Sequence, residues 1–238
     1  ALLLKKDWYL NKMSYTTKPL SKENCKDLKS LYKKVFNIKM SVRDIHKKFD
    51  SSSFDKPYFG HIAYFQNNPV AFYGAIIMEM NFNGQRELSA QSVDSMTIKE
   101  HSGKGLFTKL AFLTFTDLEK NNITFIWGFA NQNSENPALK KLGYTSKEKM
   151  MGFSIASSPF PFESVFRKNK ITSKLYDFYI RKIISAYTVN NIVKNSASLV
   201  KDSVTGIRNA TLYDSKSNNG NFSIKIDNVI FWIKVKQG

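Results

Sequence analysis

Thr97-Ile98-Lys99-Glu100-His101-Ser102-Gly103-Lys104-Gly105-Leu106-Phe107 is the stretch on which the reading of this chain turns. It begins as the end of a strand and passes through a polar turn holding two glycines. It then enters a segment, Leu106 to Lys120, whose Leu106, Leu110, Leu113 and Leu118 recur at helical spacing. A glycine loop between strand and helix lets successive backbone N–H groups approach an anion closely, and the helix start adds about half a positive charge. The Gly-Lys-Ser/Thr ending of a Walker loop is absent. A dinucleotide fingerprint is also a poor match, because no third glycine follows and the strands upstream do not alternate with helices.

Working upstream, Tyr58 to Phe65, Val70 to Met80 and Arg86 to Ile98 are rich in β-branched and aromatic residues. They are separated by Gln66-Asn67-Asn68-Pro69 and Asn81-Phe82-Asn83-Gly84, which predicts an antiparallel meander. Before it, Ser21 is expected to cap a helix bearing Leu28, Leu31, Tyr32, Val35 and Phe36 on one stripe, with Cys25 a turn earlier as a small buried hydrophobe. Ser41 and Asp44 form a capping box for a short helix ending near Phe49. Residues 1–20 show no periodicity, and 1–14 read as a lead-in. Downstream, Ile123 to Phe129 reads as a strand, Glu135 to Leu142 as a helix and Tyr144 to Ile155 as a strand. A meander followed by a β-α-β unit predicts the α/β class with a mixed sheet.

Ser157-Ser158-Pro159-Phe160-Pro161 punctuates the chain, so residues 156–238 are expected to form a smaller α+β appendage. It holds an amphipathic helix with Leu175, Phe178, Tyr179, Ile183, Ile184 and Tyr187, and a hairpin of Phe222 to Ile226 and Val229 to Val235. A two-stranded ribbon is marginal alone. The apolar Val229 to Val235 run is expected either to cover its own core or to pair across a homodimer.

The net charge of +17 predicts attraction to anions. Residues 1–155 hold 23 basic and 14 acidic groups, and residues 156–238 hold 13 and 5, so the excess is dispersed rather than gathered in an arm. No specific nucleic-acid partner is expected from such a pattern. No run approaches the ~20 apolar residues of a membrane span. Ala1 to Leu4 is too short for a signal peptide, and a cytoplasmic location is expected. With Cys25 as the only cysteine, an intrachain disulfide is excluded, and no metal site is expected.

Ser102-Gly103-Lys104-Gly105-Leu106-Phe107-Thr108-Lys109-Leu110 resembles the pyrophosphate-binding motif A of the GNAT superfamily of acetyl-CoA-dependent N-acetyltransferases. Gly128-Phe129-Ala130-Asn131-Gln132-Asn133-Ser134 followed by Leu139-Lys140-Lys141-Leu142-Gly143-Tyr144 resembles its motif B, in the right order. The resemblance extends over residues 15–155 and implies the GNAT acyl-CoA N-acyltransferase fold. Three positions depart from the pattern. Ser102 stands for the usual Arg or Gln, Phe107 for a small residue, and Leu139 for the tyrosine that in many members protonates the departing thiolate.

The resemblance implies direct attack of a neutral amine on the thioester, assisted by a general base and by strand N–H groups that polarise the carbonyl. It places the pyrophosphate on Ser102, Gly103, Lys104, Gly105, Leu106 and Phe107. The pantetheine and acetyl groups fall to the backbone of Met96, Thr97 and Ile98, with Asn131 and Ser134 completing the slot. Asp94 and Glu79 are the candidate catalytic bases, and each reads equally as a solvated strand carboxylate. His61 and His101 come after them, and Tyr144 reads as core-filling, with duty as an acid its lesser alternative. The expected activity is acetyl transfer to a small-molecule amine, with an amino sugar one candidate. The alternative is a non-catalytic acyl-CoA-binding or interaction module of the same fold, motivated by Leu139.

Overall fold

A computed structural model of the chain describes residues 14–146, 163–187, 204–207, 221–226 and 229–234. The chain divides into two compact units, Ala1–Ser146 with Ala197–Ile207, and Lys147–Ser196 with Arg208–Gly238.

The first unit is built on a mixed sheet. Strands β1 (Tyr15–Pro19), β2 (Phe59–Phe65), β3 (Asn68–Phe82) and β4 (Gln85–Thr97) run antiparallel in sequence order, and β5 (Ile126–Gly128) joins β4 in parallel. The hairpin turns are encoded locally. Gln66 and Asn67 (φ 48° and 63°) turn β2 into β3, and Asn83 and Gly84 (φ 52° and 96°) turn β3 into β4. Two successive positive φ angles match the right-handed twist of the flanking strands, which is why polar residues and glycine occupy these corners.

Because helices cover both faces, the strands are apolar on both sides and do not alternate cleanly. On one face, α1 (Leu28–Phe36) and α2 (Val42–Phe49) bury Leu28, Leu31, Tyr32, Ile45 and Phe49 against Ile62, Tyr64, Phe72 and Met96. On the other, α3 (Leu106–Lys120) buries Leu106, Leu110 and Ala111 against Ala63, Ala71 and Tyr73, while Leu118 packs with Phe59, Ala75, Ile77, Ala90 and Ile123. Phe72 and Tyr73 are neighbours in β3 and belong to opposite cores. The result is a three-layer α/β fold.

The capping box at Ser41 forms as expected, with the Ser41 hydroxyl accepting from the Asp44 N–H at 3.1 Å. Ser21 does not cap α1. Its hydroxyl instead accepts from Asn24 N–H at 3.4 Å, a short 3₁₀ turn at Cys25–Asp27 intervenes, and α1 starts at Leu28. Cys25 is fully buried, its thiol donating to the Lys22 carbonyl, and burial pushes its pKa up, consistent with an inert core residue. The aperiodic N-terminal region contains β1, an edge strand that the sequence pattern did not mark.

Strand β5 is shorter than the Ile123–Phe129 expectation. Helix α4 (Glu135–Lys141) lies where it was expected. Tyr144–Ser146 carry no strand, and the rest of the strand expected to run to Ile155 lies outside the described residues, as does the Ser157–Pro161 boundary. A short strand β6 (Val204–Gly206) pairs antiparallel with the end of β3, Met80 facing Gly206, so part of the chain beyond the sequence boundary belongs to the first unit.

The second unit contains α5 (Glu163–Phe166), α6 (Lys170–Tyr187) and the hairpin β7 (Asn221–Ile226) and β8 (Val229–Lys234). Tyr176 is buried there and stacks on Phe166, while Leu175, Phe178 and Tyr179 are exposed. Among the described residues, no helix is long and apolar enough to cross a membrane.

Candidate active site

The site begins with an irregularity in β4. Phe72 pairs with Met96 and Gly74 with Val93, so three steps along β4 face two along β3, and Asp94 takes a left-handed φ of 52° within this bulge. A bulge sharpens the local twist and re-aims the strand. Its consequence lies on the other side of β4, where pairing with β5 ends at Ser92–Gly128. Beyond that pair the two parallel strands separate. The resulting cleft of about 210 Å³ is lined by Tyr73, Ser92, Asp94, Phe107, Asn131 and Tyr144, among others.

Along the separated part of β4 the expected backbone contacts are not equivalent. The Ile98 N–H donates to the Val70 carbonyl at 3.0 Å, so it belongs to the ladder with β3. Successive strand residues present their N–H and C=O to alternate edges. Of Met96, Thr97 and Ile98, Thr97 therefore offers its backbone groups to the edge that β5 has left. Met96 contributes a side chain buried in the α1–α2 core.

From Thr97 the chain passes a 3₁₀ turn, Lys99–His101, into the glycine loop. Gly103 and Gly105 have φ of 73° and 78°, a conformation that costs a side-chain-bearing residue about 1–2 kcal/mol. A Cβ on either glycine would meet nothing within 4 Å, so backbone conformation, not crowding, calls for glycine here. No side chain caps α3, and its first intrahelical bond runs from Lys109 N–H to the Gly105 carbonyl. The N–H groups of Leu106, Phe107 and Thr108 thus lack intrahelical acceptors at the positive end of a fifteen-residue helix. A loop open to space and an uncapped helix start fit a diphosphate.

Asp94 is held from two helices. Tyr32 of α1 donates its hydroxyl to Asp94 Oδ2, and Lys48 of α2 forms an ion pair with the same oxygen. Burial, followed by the charge of Asp94, drives the Tyr32 pKa far up, so Tyr32 remains a donor. Both contacts fall on Oδ2, leaving Oδ1 as the atom through which Asp94 can act on a ligand. Glu79 pairs with Leu88, whereas Ser92 pairs with Ala75. Glu79 thus lies four residue pairs, about 13 Å, along the sheet from the cleft and does not line it.

The histidines are also elsewhere. His61 is buried with Nε2 2.8 Å from Asp117 Oδ2 on α3, and His101 Nδ1 lies 2.6 Å from the hydroxyl of Tyr15. Asn131 and Ser134 do reach the cleft. However, Asn131 Oδ1 already accepts from the N–H groups of Asn133 and Ser134 and from the Ser134 hydroxyl, so this pair mainly starts α4. Lys104 sits in the loop, and Leu139 on α4 is exposed.

Sequence reasoning missed the polar centre of the cleft. Tyr73 Oη lies 2.8 Å from Ser92 Oγ, which lies 2.6 Å from Tyr144 Oη, and the two phenol oxygens are 3.4 Å apart. Phe107 meets the Tyr73 ring edge-on at 5.6 Å, and Phe115 contacts the rings of both tyrosines. Burial and the neighbouring Tyr144 push the Tyr73 pKa far up, so it stays protonated. Tyr144 directly follows Gly143 of the Leu-Gly-Tyr phrase, a position that reads first as core and only second as an acid. The hydroxyl role becomes visible only when β3, β4 and this loop are brought together.

Among solved structures, the chain is similar to an acetyltransferase of Trypanosoma brucei, with 14% identity, TM-score 0.47, and coverage of 60% of this chain and 100% of that one. It is similar also to glucosamine-6-phosphate N-acetyltransferase of Arabidopsis thaliana (11%, TM-score 0.48, 60% and 99%) and to an aminoglycoside 6'-N-acetyltransferase of Acinetobacter haemolyticus (18%, TM-score 0.44, 60% and 99%). No curated protein matches. Residues 16–146 match the family model for the acetyltransferase (GNAT) domain. That span is over half of the 238 residues and contains the bulged strand, the glycine loop and the cleft, and the chain belongs to the GNAT acetyltransferase family.

Proposed function

We propose that this chain transfers the acetyl group of acetyl-CoA to the amine of a small-molecule acceptor by direct attack of the amine on the thioester. The observation that carries the reading is the separation of β4 from β5 immediately after the Ser92–Gly128 pair, beside an uncapped helix start. The separation exposes a strand edge able to hydrogen-bond an amide-bearing arm, and the glycine loop and α3 offer N–H groups to a diphosphate at one end of it. Gly103, Lys104, Gly105, Leu106 and Phe107 hold the diphosphate, with Ser102 at the start of the loop. Thr97 binds the arm.

Asp94 is the group assigned to the acceptor amine, through Oδ1. Lys48 and Tyr32 fix its position, so it orients the amine and receives its proton without changing rotamer. The acceptor is a small amine, with amino sugars the class to test first.

The test is release of free thiol from acetyl-CoA across a panel of amines that includes amino sugars, alongside calorimetric titration of acetyl-CoA. Amine-dependent thiol release is the expected result. Binding without turnover for any amine of the panel would favour the alternative, a non-catalytic acyl-CoA-binding or interaction module.

A further inference from the structure

We infer that Tyr144 is the proton donor to the departing sulfur, placed and polarised by a hydroxyl chain through Ser92 to Tyr73. The inference rests on the proposed acetyl transfer and deepens it. Leu139, where the family resemblance leads one to look for a donor, has no acidic hydrogen and is exposed, so a side-chain donor has to be another residue.

The geometry supports a continuous hydroxyl chain. The two short contacts, 2.8 Å and 2.6 Å, need one hydroxyl hydrogen each, and three hydroxyls supply three. One hydrogen is therefore left over, on Tyr73, Ser92 or Tyr144 according to the direction in which the chain runs. Tyr73 is buried and Tyr144 is half-buried, and all three residues line the cleft. In the inferred direction Tyr73 donates to Ser92 and Ser92 to Tyr144, which puts the remaining hydrogen on Tyr144, the less buried of the two tyrosines. Ser92 then donates to the oxygen that becomes negative when Tyr144 gives up its proton, which stabilises that charge. Phe107 and Phe115 hold the two rings from the apolar side.

The step balances as follows. The bond from amine nitrogen to acetyl carbon forms as the carbon–sulfur bond breaks, and the electron pair of that bond goes to sulfur. Sulfur takes the Tyr144 proton. The proton lost by nitrogen leaves through Asp94 to solvent, and a solvent proton restores Tyr144, so the net products are the amide and a neutral thiol.

Two measurements on the full chain test this. The first is kcat for wild type, Tyr144→Phe and Ser92→Ala with an accepted amine. A loss of ~10²-fold is expected for Tyr144→Phe and a smaller one for Ser92→Ala, which leaves the donor but removes its polarising neighbour. The second is calorimetric affinity for CoA against CoA lacking its thiol. Wild type should prefer CoA by roughly threefold or more, the scale of one hydrogen bond, and Tyr144→Phe should lose that preference. A merely structural tyrosine would lower stability and kcat but leave the preference intact, which would overturn the inference. Turnover within about threefold of wild type in a folded Tyr144→Phe variant overturns it equally while acetyl transfer itself stands. If wild type neither binds acetyl-CoA nor releases thiol, the proposed function fails and this inference with it.

Discussion

Tyr32 of α1 donates its hydroxyl to the carboxylate of Asp94, a residue 62 positions further along the chain, and so ties the first helical layer to the bulge that opens the cleft. Lys48 meets the same oxygen from α2. A carboxylate at a left-handed backbone position, anchored on one oxygen, is a fixed group with one free face, which suits a site that must orient an amine before taking its proton.

Asp94→Asn should therefore reduce turnover by ~10²-fold while leaving acetyl-CoA affinity within about twofold. Asn tolerates the left-handed φ of 52°, so the bulge survives. Steady-state kinetics with calorimetry checks this. Unchanged turnover would mean that the base is elsewhere or that water removes the proton.

Gly105→Ala acts on the other end of the cleft. Its Cβ has room, but its φ of 78° is unfavourable, so about 1–2 kcal/mol of stability should be lost or the loop should shift. A shifted loop loses N–H contacts to the diphosphate, and acetyl-CoA should bind about tenfold more weakly, the scale of one hydrogen bond to a charged group. Thermal unfolding together with titration separates the two effects.

Gly74→Ala addresses the bulge itself. A Cβ there would lie 2.5 Å from the Phe72 ring and 2.7 Å from the Phe49 ring, two rings packed edge to face at 5.4 Å. Repacking them should cost about 1–3 kcal/mol. Urea unfolding should show a lower midpoint with an unchanged slope.

His101 supplies a pH dependence. Burial, then the charge of Lys104, hold its pKa below the ordinary histidine value, with Glu100 opposing. The unfolded chain thus takes up a proton that the folded chain resists. This contribution to stability is complete above about pH 6.5 and declines as pH falls through and below that value. His101 Nδ1 lies 2.6 Å from the Tyr15 hydroxyl, and charging the ring disturbs that contact, so amide exchange over Tyr15–Pro19 should accelerate in acid. His101→Asn, which keeps an acceptor near the Nδ1 position, should flatten that dependence.

What this sequence determined by itself is what neighbouring residues impose on one another. Asn83-Gly84 permits two positive φ angles, Ser41 and Asp44 bond within one turn, and the leucines from Leu106 to Leu118 share one helical face, so the hairpin, the cap and α3 follow from short-range geometry. The glycine loop was legible for the same reason, and its order relative to motif B through the family resemblance. Strand β1 was not, because Tyr15–Pro19 lacks an alternating pattern and is a strand only through its pairing with β2 and the clamp from His101. The ion pair on Asp94, the distance of Glu79 from the cleft, the ladder bond that occupies Ile98 and the hydroxyl chain of Tyr73, Ser92 and Tyr144 were likewise decided by the tertiary structure. Each depends on how a bulge turns one strand away from another and on which helix then lies across it, and helical and strand periodicities carry no information about partners that far apart.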